Sequence, residues 1–393
     1  MNEQITTLAS LTIDGKGSYG IGASAVPFSK DLYTYLRITD IKDDGTLNLQ
    51  DLKSVDDEKA SEYLLNPNDI VFARTGASTG RNYFYDGTDG EFVYAGFLIK
   101  FSIDEKKVNP KYIKYFCQSK QYKDWINSFN TGSTRGNINA QTLGKMPIPL
   151  IERKTQDALV SILSCIDEKI KKNNAINDNL EQQARAIFSN EFLNLEVLPD
   201  GWKQASLIDI ANYLNGLAMQ KYRPTADESG IPVLKIKELR QGCCDDNSEL
   251  CSPNIKSEYI IHDGDVIFSW SGSLLVDFWC GGICGLNQHL FKVASNKYNK
   301  WFYYAWTKHH LDRFIAVAAD KATTMGHIKR DELSKAEVLI PNEADYKRIG
   351  ALLQPIYDLI IANRIENKNL VKTRDTLLPK LMSGELDVSD IEL

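Results

Sequence analysis

The sequence predicts an α+β chain made of two tandem copies of one unit. Each copy is a mixed, mainly β domain followed by a long helix, and the two helices pair as an antiparallel coiled coil. Three observations carry this reading. Ordered segments recur at a nearly constant offset. The hydrophobic period lengthens from two to between three and four at the end of each copy. Asparagines recur at matching places on the two helical stripes.

The repeat comes first. Asn66–Ser78 (NPNDIVFARTGAS) aligns with His262–Leu274 (HDGDVIFSWSGSL). Both read as a turn, an Asp, two β-branched residues, Phe, two variable positions, a small polar residue and Gly. Upstream, Tyr35–Ile41 (YLRITDI) parallels Val233–Leu239 (VLKIKEL), each with the alternation of a strand. Downstream, Lys111–Phe116 pairs with Lys300–Ala305, Thr134–Ile138 with Thr324–Ile328, and Met146–Leu150 with Ala336–Ile340. Asn177–Leu180 (NDNL) and Asn367–Leu370 (NKNL) extend the match into the closing helical segments. Within each copy the early part is rich in β-branched and aromatic residues broken by Gly, Asp and Asn, which marks short strands and turns.

The helices follow. From Thr155 to Phe192 no Gly or Pro intervenes, and Leu159, Ile162, Ile166, Ile170, Ile176, Leu180 and Ile187 recur every few residues. A helix of that span is roughly 55 Å long. The second stripe runs through Ile349, Leu352, Ile356, Leu359, Ile360, Leu370 and Leu377, with Pro355 expected near the helix start or at a kink. So narrow a stripe is a coiled-coil seam, and Asn173, Asn177, Asn363 and Asn367 on or beside it set the register. The alternative is two independent helices in separate cores. Leu198–Trp202 (LPDGW) joins a turn signal to an aromatic anchor and separates the copies. The expected organisation is a β-rich domain over 1–152, a helix over 153–198, a second β-rich domain over 199–342, and a closing helix and tail over 343–393.

Composition restricts the function classes. No run of about 18 apolar residues occurs, so no membrane span is expected, and Met1–Ser10 lacks the basic start and apolar core of a secretory signal. The expected location is the cytoplasm, which suits seven irregularly spaced cysteines. Cys243, Cys244, Cys251, Cys280 and Cys284 read as buried thiols or, lacking any C-x-x-C pair, less readily as zinc ligands. The net charge of −6 gives no global nucleic-acid signal; DNA binding would require a local basic patch. The sequence contains no phosphate-binding G-x-x-x-x-G-K-[ST] and no H-E-x-x-H. Asn66–Asp69 (NPND) lacks the second Pro and the aromatic of an adenine-methyltransferase motif. Asp69 and Asp265 recur in both copies before a strand, the place of a turn-organising residue. His309 and His310 are expected on a helix surface.

Two β-rich domains each followed by a long helix, with DIVF and DVIF strands entering Ser/Thr-Gly turns, resemble the specificity subunits of Type I restriction–modification systems. Leu377–Leu386 (LLPKLMSGEL) is similar to the C-terminal end of that family's distal helix. The resemblance spans essentially the whole chain. It implies a non-catalytic subunit in which each β-rich domain is a target-recognition domain reading half of a split, asymmetric site in double-stranded DNA. The helices would act as spacers and dock two modification subunits, which bind S-adenosylmethionine. Restriction subunits using ATP would join that complex, leaving no cofactor on this chain.

On that reading the DNA contacts lie in donor-rich turns. Arg74, Thr75, Ser78, Arg81 and Asn82 offer groups for phosphates and base edges around glycines that permit close backbone approach. The plainer alternative is a hairpin loop with solvated charges. The second copy offers Ser269, Trp270 and Ser271, where Trp270 stacks on a base or belongs to the core. A second loop supplies Ser133, Thr134, Arg135 and Asn137, and its counterpart Lys321, Thr323, Thr324, His327, Lys329 and Arg330. Asn287, Gln288 and His289 form a trio suited to purine edges or to a strand-end hydrogen-bond network. The rival readings are a diverged methyltransferase or nuclease, and a tandem-repeat scaffold that binds proteins without reading DNA.

Overall fold

In the computed structural model, residues 4–49, 51–129, 137–320 and 330–388 are described. The chain divides into two units, residues 1–167 with 372–393, and residues 168–371.

In the first unit the Asp69–Ala73 strand lies between Leu98–Ser102 and Asn82–Tyr85, with Ser18–Tyr19 at the outer edge, all antiparallel. Every residue of Asp69–Ala73 is buried. Its side chains alternate between two cores: Ile70 and Phe72 join Phe101, Tyr112 and Phe116, while Val71 and Ala73 join Leu36, Tyr83 and Tyr94. A strand covered on both faces needs an unbroken apolar run, which is why the DIVF signature does not alternate. A second sheet orders Ala25–Pro27, Lys53–Val55, Tyr33–Leu36 and Phe92–Tyr94, the last pair parallel. Gln4–Thr7 and Pro147–Leu150 close the unit as an antiparallel ribbon.

The second unit repeats this plan. Val266–Ser269 sits between Leu290–Ala294 and Leu275–Phe278, with Asn212–Asn215 at the edge. Val266 and Phe268 enter one core and Ile267 another. Ile231–Leu234 pairs in parallel with Cys284–Leu286, as Tyr33–Leu36 does with Phe92–Tyr94. The ribbon recurs as Lys203–Ser206 with Glu337–Ile340.

The recurring aspartates organise these strands. Asp69, 1% exposed, accepts the Asn66 backbone N–H at 2.8 Å and the Ser102 hydroxyl at 2.6 Å, and pairs with Lys100 at 3.1 Å. Asp265 accepts the His262 N–H at 2.9 Å and pairs with Lys292 at 2.7 Å. One carboxylate thus closes the turn and neutralises a lysine on the neighbouring strand in each copy.

The first long helix runs Arg153–Phe188 and passes into a π-helical turn at Ser189–Leu193. Its first part belongs to the first unit, where Ala158, Leu159 and Leu163 are core residues. Its end belongs to the second, where Phe188 and Phe192 pack among Trp202, Phe302 and Trp306. The second long helix runs Glu343–Met382. Asn342 accepts the Asp345 N–H at 2.9 Å and, with Glu343 and Asp345 in the first turn, favours its start there. Pro355 therefore lies well inside the helix rather than near its beginning. Its ring is exposed, so the carbonyl left without an amide partner faces water.

Within the second unit the two helices exchange polar contacts. The Asn363 amide donates to Asn177 at 2.9 Å, and Asn173 donates to Glu366 at 2.7 Å and Asn367 at 2.8 Å. Partners rise along one helix as they fall along the other, so the helices run antiparallel through this stretch. Arg364 reaches Glu181 at 2.9 Å and Asp277 at 2.7 Å. Burial opposes its charge, but the two carboxylates prevail and hold its pKa above the usual arginine range.

The histidine pair departs from expectation. His309 is exposed, but His310 is buried against Trp306, and its Nε2–H donates to the Glu337 carbonyl at 2.8 Å. Burial lowers the His310 pKa to about 4, despite the opposing Glu337 contact. As pH falls the unfolded chain, with an ordinary imidazole, takes up the proton first. The stability of the neutral buried ring is complete above about pH 6.5 and is lost toward pH 4. Urea unfolding followed by the second unit's tryptophans should therefore show a drop of roughly 2 kcal/mol from pH 7 to 4.5. His310→Gln should flatten most of that slope; an unchanged slope would refute the assignment.

Of the seven thiols, Cys117, Cys251, Cys280 and Cys284 are buried, Cys243 and Cys244 half-buried and Cys165 exposed. Among the described residues no group of three or more His, Cys, Asp or Glu side chains is placed to hold a metal. No helix among them is long and apolar enough to cross a membrane.

Candidate nucleic-acid interface

The turn after Asp69–Ala73 is built by local hydrogen bonds. The Gly80 N–H returns to the Ala73 carbonyl at 2.9 Å, and the Ala73 N–H to the Arg81 carbonyl at 2.8 Å. Gly80 has φ +86°, and a Cβ there would meet Ile126 at 2.5 Å. Several residues expected to face DNA serve this turn instead. Asn82 is buried and donates to the Cys117 carbonyl at 3.2 Å; Ser78 is buried as well. Arg81 is held by Asp43 at 2.7 Å.

Arg74 is disposed differently. Its guanidinium carbon lies 5.2 Å from the Tyr19 ring centre and 5.8 Å from that of Phe97. Both rings are prominently exposed, at 44% and 57%. The Arg74 Nε is buried without a hydrogen-bond partner, and no carboxylate among the described residues pairs with the side chain. Backbone contacts bring Asn137 and Ile138 alongside: the Ile138 N–H donates to the Arg74 carbonyl at 2.9 Å, and Thr75 bridges Asn137. Arg74, Thr75 and Asn137 are thus gathered at one place, with Tyr19 and Phe97 beside them.

Strand register identifies the counterpart in the second unit. Tyr19 pairs with Ile99 and Phe72 with Ile99; Asn215 pairs with Phe291 and Phe268 with Phe291. Tyr19, Arg74 and Phe97 therefore correspond to Asn215, Trp270 and His289. The Trp270 Nε1–H donates to Asn215 at 3.1 Å, and Ser271 shares a hydrogen bond with the His289 Nδ1 at 3.1 Å. Trp270 also lies against Phe291, its ring half-exposed at the margin of the core. Ser269 is fully buried and donates to the Ser273 carbonyl at 2.8 Å. Asn287 is buried and accepts the His289 N–H at 3.2 Å, so it shapes the turn, while Gln288 stays half-exposed. Arg330 is exposed and donates to the Tyr213 carbonyl at 3.0 Å. Ser133, Thr134, Arg135, Lys321, Thr323, Thr324, His327 and Lys329 lie outside the described residues.

Both clusters rest on a close backbone approach. A Cβ on Gly20 would fall 2.2 Å from the Tyr94 carbonyl oxygen, and one on Gly216 would fall 2.2 Å from that of Asn287. Tyr19, Phe97 and Asn215 escape motif reading because Tyr19 and Asn215 end edge strands and Phe97 lies in the turn before Leu98–Ser102. Aligned Tyr19-Gly20-Ile21 and Asn215-Gly216-Leu217 carry the one signal that could have found two of them.

Comparison with known proteins places this duplicated architecture. The chain matches the family described as Type I restriction modification DNA specificity domain over residues 29–182 and again over 199–372. It is 26% identical over 314 residues to the specificity subunit of the Type I restriction enzyme MjaIX from Methanocaldococcus jannaschii, covering 74% of this chain and 72% of that one. Against the HindI specificity subunit from Haemophilus influenzae the identity is 18% over 399 residues, covering 81% and 86%. The fold resembles the crystal structure of the Type I restriction–modification S subunit from M. genitalium, with a TM-score of 0.57 at 16% identity, covering 97% and 96% of the two chains. With one copy of the matched domain in each half, the chain belongs to the Type I restriction–modification DNA specificity family.

Proposed function

We propose that the chain reads a split DNA sequence, one half with each β-rich unit, and directs modification subunits that methylate it. The observation that carries this is duplication with divergence. One backbone frame presents Tyr19, Arg74 and Phe97 in the first copy and Asn215, Trp270 and His289 in the second. A frame kept while its exposed chemistry changes suits two readers of unlike half-sites, because base identity is read by side-chain donors and acceptors. The long helices would form the coiled-coil spacer and the docking surface for two modification subunits. Exposed Ile176, Leu352 and Leu359 support this, being apolar side chains left on helix surfaces. In this scheme S-adenosylmethionine and ATP bind the modification and restriction subunits, and the present chain carries no catalytic group.

The test is a genome-wide map of adenine methylation in cells carrying the modification subunit with and without this chain. A split, asymmetric motif present only with the chain is the expected result. If the complex assembles and no new motif arises, the chain is a protein-binding scaffold and the proposal fails.

A further inference from the structure

We propose that Arg74 is the specificity-determining residue of the first unit and that it reads a guanine. This rests on the DNA-reading function proposed above and names the base class addressed. Other arginines of the first unit have their charge engaged: Arg81 by Asp43, Arg37 by Asp40 at 2.6 Å, and Arg374 by Asp167 at 3.2 Å. Arg74 instead lies close to two exposed aromatic rings, Tyr19 and Phe97, with a buried and unpartnered Nε and no pairing carboxylate among the described residues.

Two physical consequences follow. The rings restrict the rotation of a side chain that otherwise loses much freedom on binding, so the planar fork is aimed in advance. With no carboxylate partner among the described residues, the guanidinium donors are left for acceptors from a ligand. Guanine presents two, O6 and N7, side by side in the major groove, matched to a bidentate arginine. A backbone phosphate also accepts a bidentate arginine fork, but such a contact carries no base identity, and this difference is what the experiment reads. At the equivalent position the second unit has Trp270, bonded to Asn215, beside a Ser271–His289 pair. That centre lacks the arginine fork, so the two half-sites should differ in their dependence on this guanine contact.

The experiment uses the full chain assembled with its modification subunit and duplexes bearing the motif found by methylation mapping. 7-Deazaguanine, which lacks the N7 acceptor, is placed at each guanine in turn. For wild type, one substitution confined to one half should weaken binding about tenfold. Arg74→Ala should bind that duplex and the unmodified one equally, and deaza substitutions in the other half should affect both proteins alike. Arg74→Lys keeps the charge without the fork, and should lose the guanine dependence while retaining most of the salt dependence. If Arg74→Ala fails to assemble, Arg74→Lys alone decides. Two outcomes overturn the inference: a half-site without a guanine that responds, or Arg74 variants that weaken every duplex uniformly, as loss of a phosphate contact would. Absence of any split motif with wild type would instead overturn the function on which the inference rests.

Discussion

Asp69→Asn should destabilise the first unit by about 3–5 kcal/mol, the range for removing one member of a buried ion pair. The carboxylate is 1% exposed and satisfies a turn N–H, a hydroxyl and Lys100, whose side chain is itself only 16% exposed. The amide keeps the shape but leaves the lysine uncompensated. Adding Lys100→Met should recover a large part of the loss, because replacing both charges with groups of similar size is often tolerated. Asp265→Asn should have a smaller effect, since that carboxylate is 24% exposed and its Lys292 partner 19%, so water can share the charge. Urea titrations at pH 7, with fluorescence resolving the two units, check both. Equal effects at Asp69 and Asp265 would remove burial as the explanation.

Gly216→Ala is the second large effect. The added methyl would lie 2.2 Å from the Asn287 carbonyl oxygen and 2.5 Å from that of Leu286, both backbone atoms that cannot swing aside. Separation of the Asn215–Leu217 segment from the 286–290 turn should destabilise the second unit by roughly 3 kcal/mol. It should also displace Asn215 from Trp270. On the proposed reading, methylation mapping should then show one half of the motif degenerate and the other intact, and Gly20→Ala should reverse the halves. Loss of the same half in both variants would contradict the equivalence of the two centres.

The duplication was legible in the sequence because it rests on patterns that survive divergence: the DIVF and DVIF strands, the Asp before each, and the stripes of the long helices. Each is dictated by burial on two faces or along one edge, which restricts residue type locally. The sorting of the turn residues was not legible. Arg74 and Arg81 are seven positions apart in one donor-rich loop, and what distinguishes them is Asp43, contributed by a distant loop. His310 looks like a surface residue until the Glu337 carbonyl, 27 residues on in sequence, is placed against it. Asn82, Ser269 and Asn287 have the chemistry of base readers, yet the fold engages or buries them. Local sequence shows which groups are present, whereas tertiary contacts decide which remain available.

The first unit is completed by a segment made long after the rest of it. Leu378, Leu381 and Val388 pack with Leu159 and Leu163, yet about two hundred residues of the other unit separate the two stretches in the chain. At roughly 5–20 residues per second of synthesis, the early-made part waits on the order of 10–40 s for its last apolar neighbours. During that interval the second unit can gather its own residues, while the first holds uncovered leucines on the ribosome. Order of emergence and order of completion are thus reversed, and a premature stop near residue 370 would damage the half of the protein that was translated first.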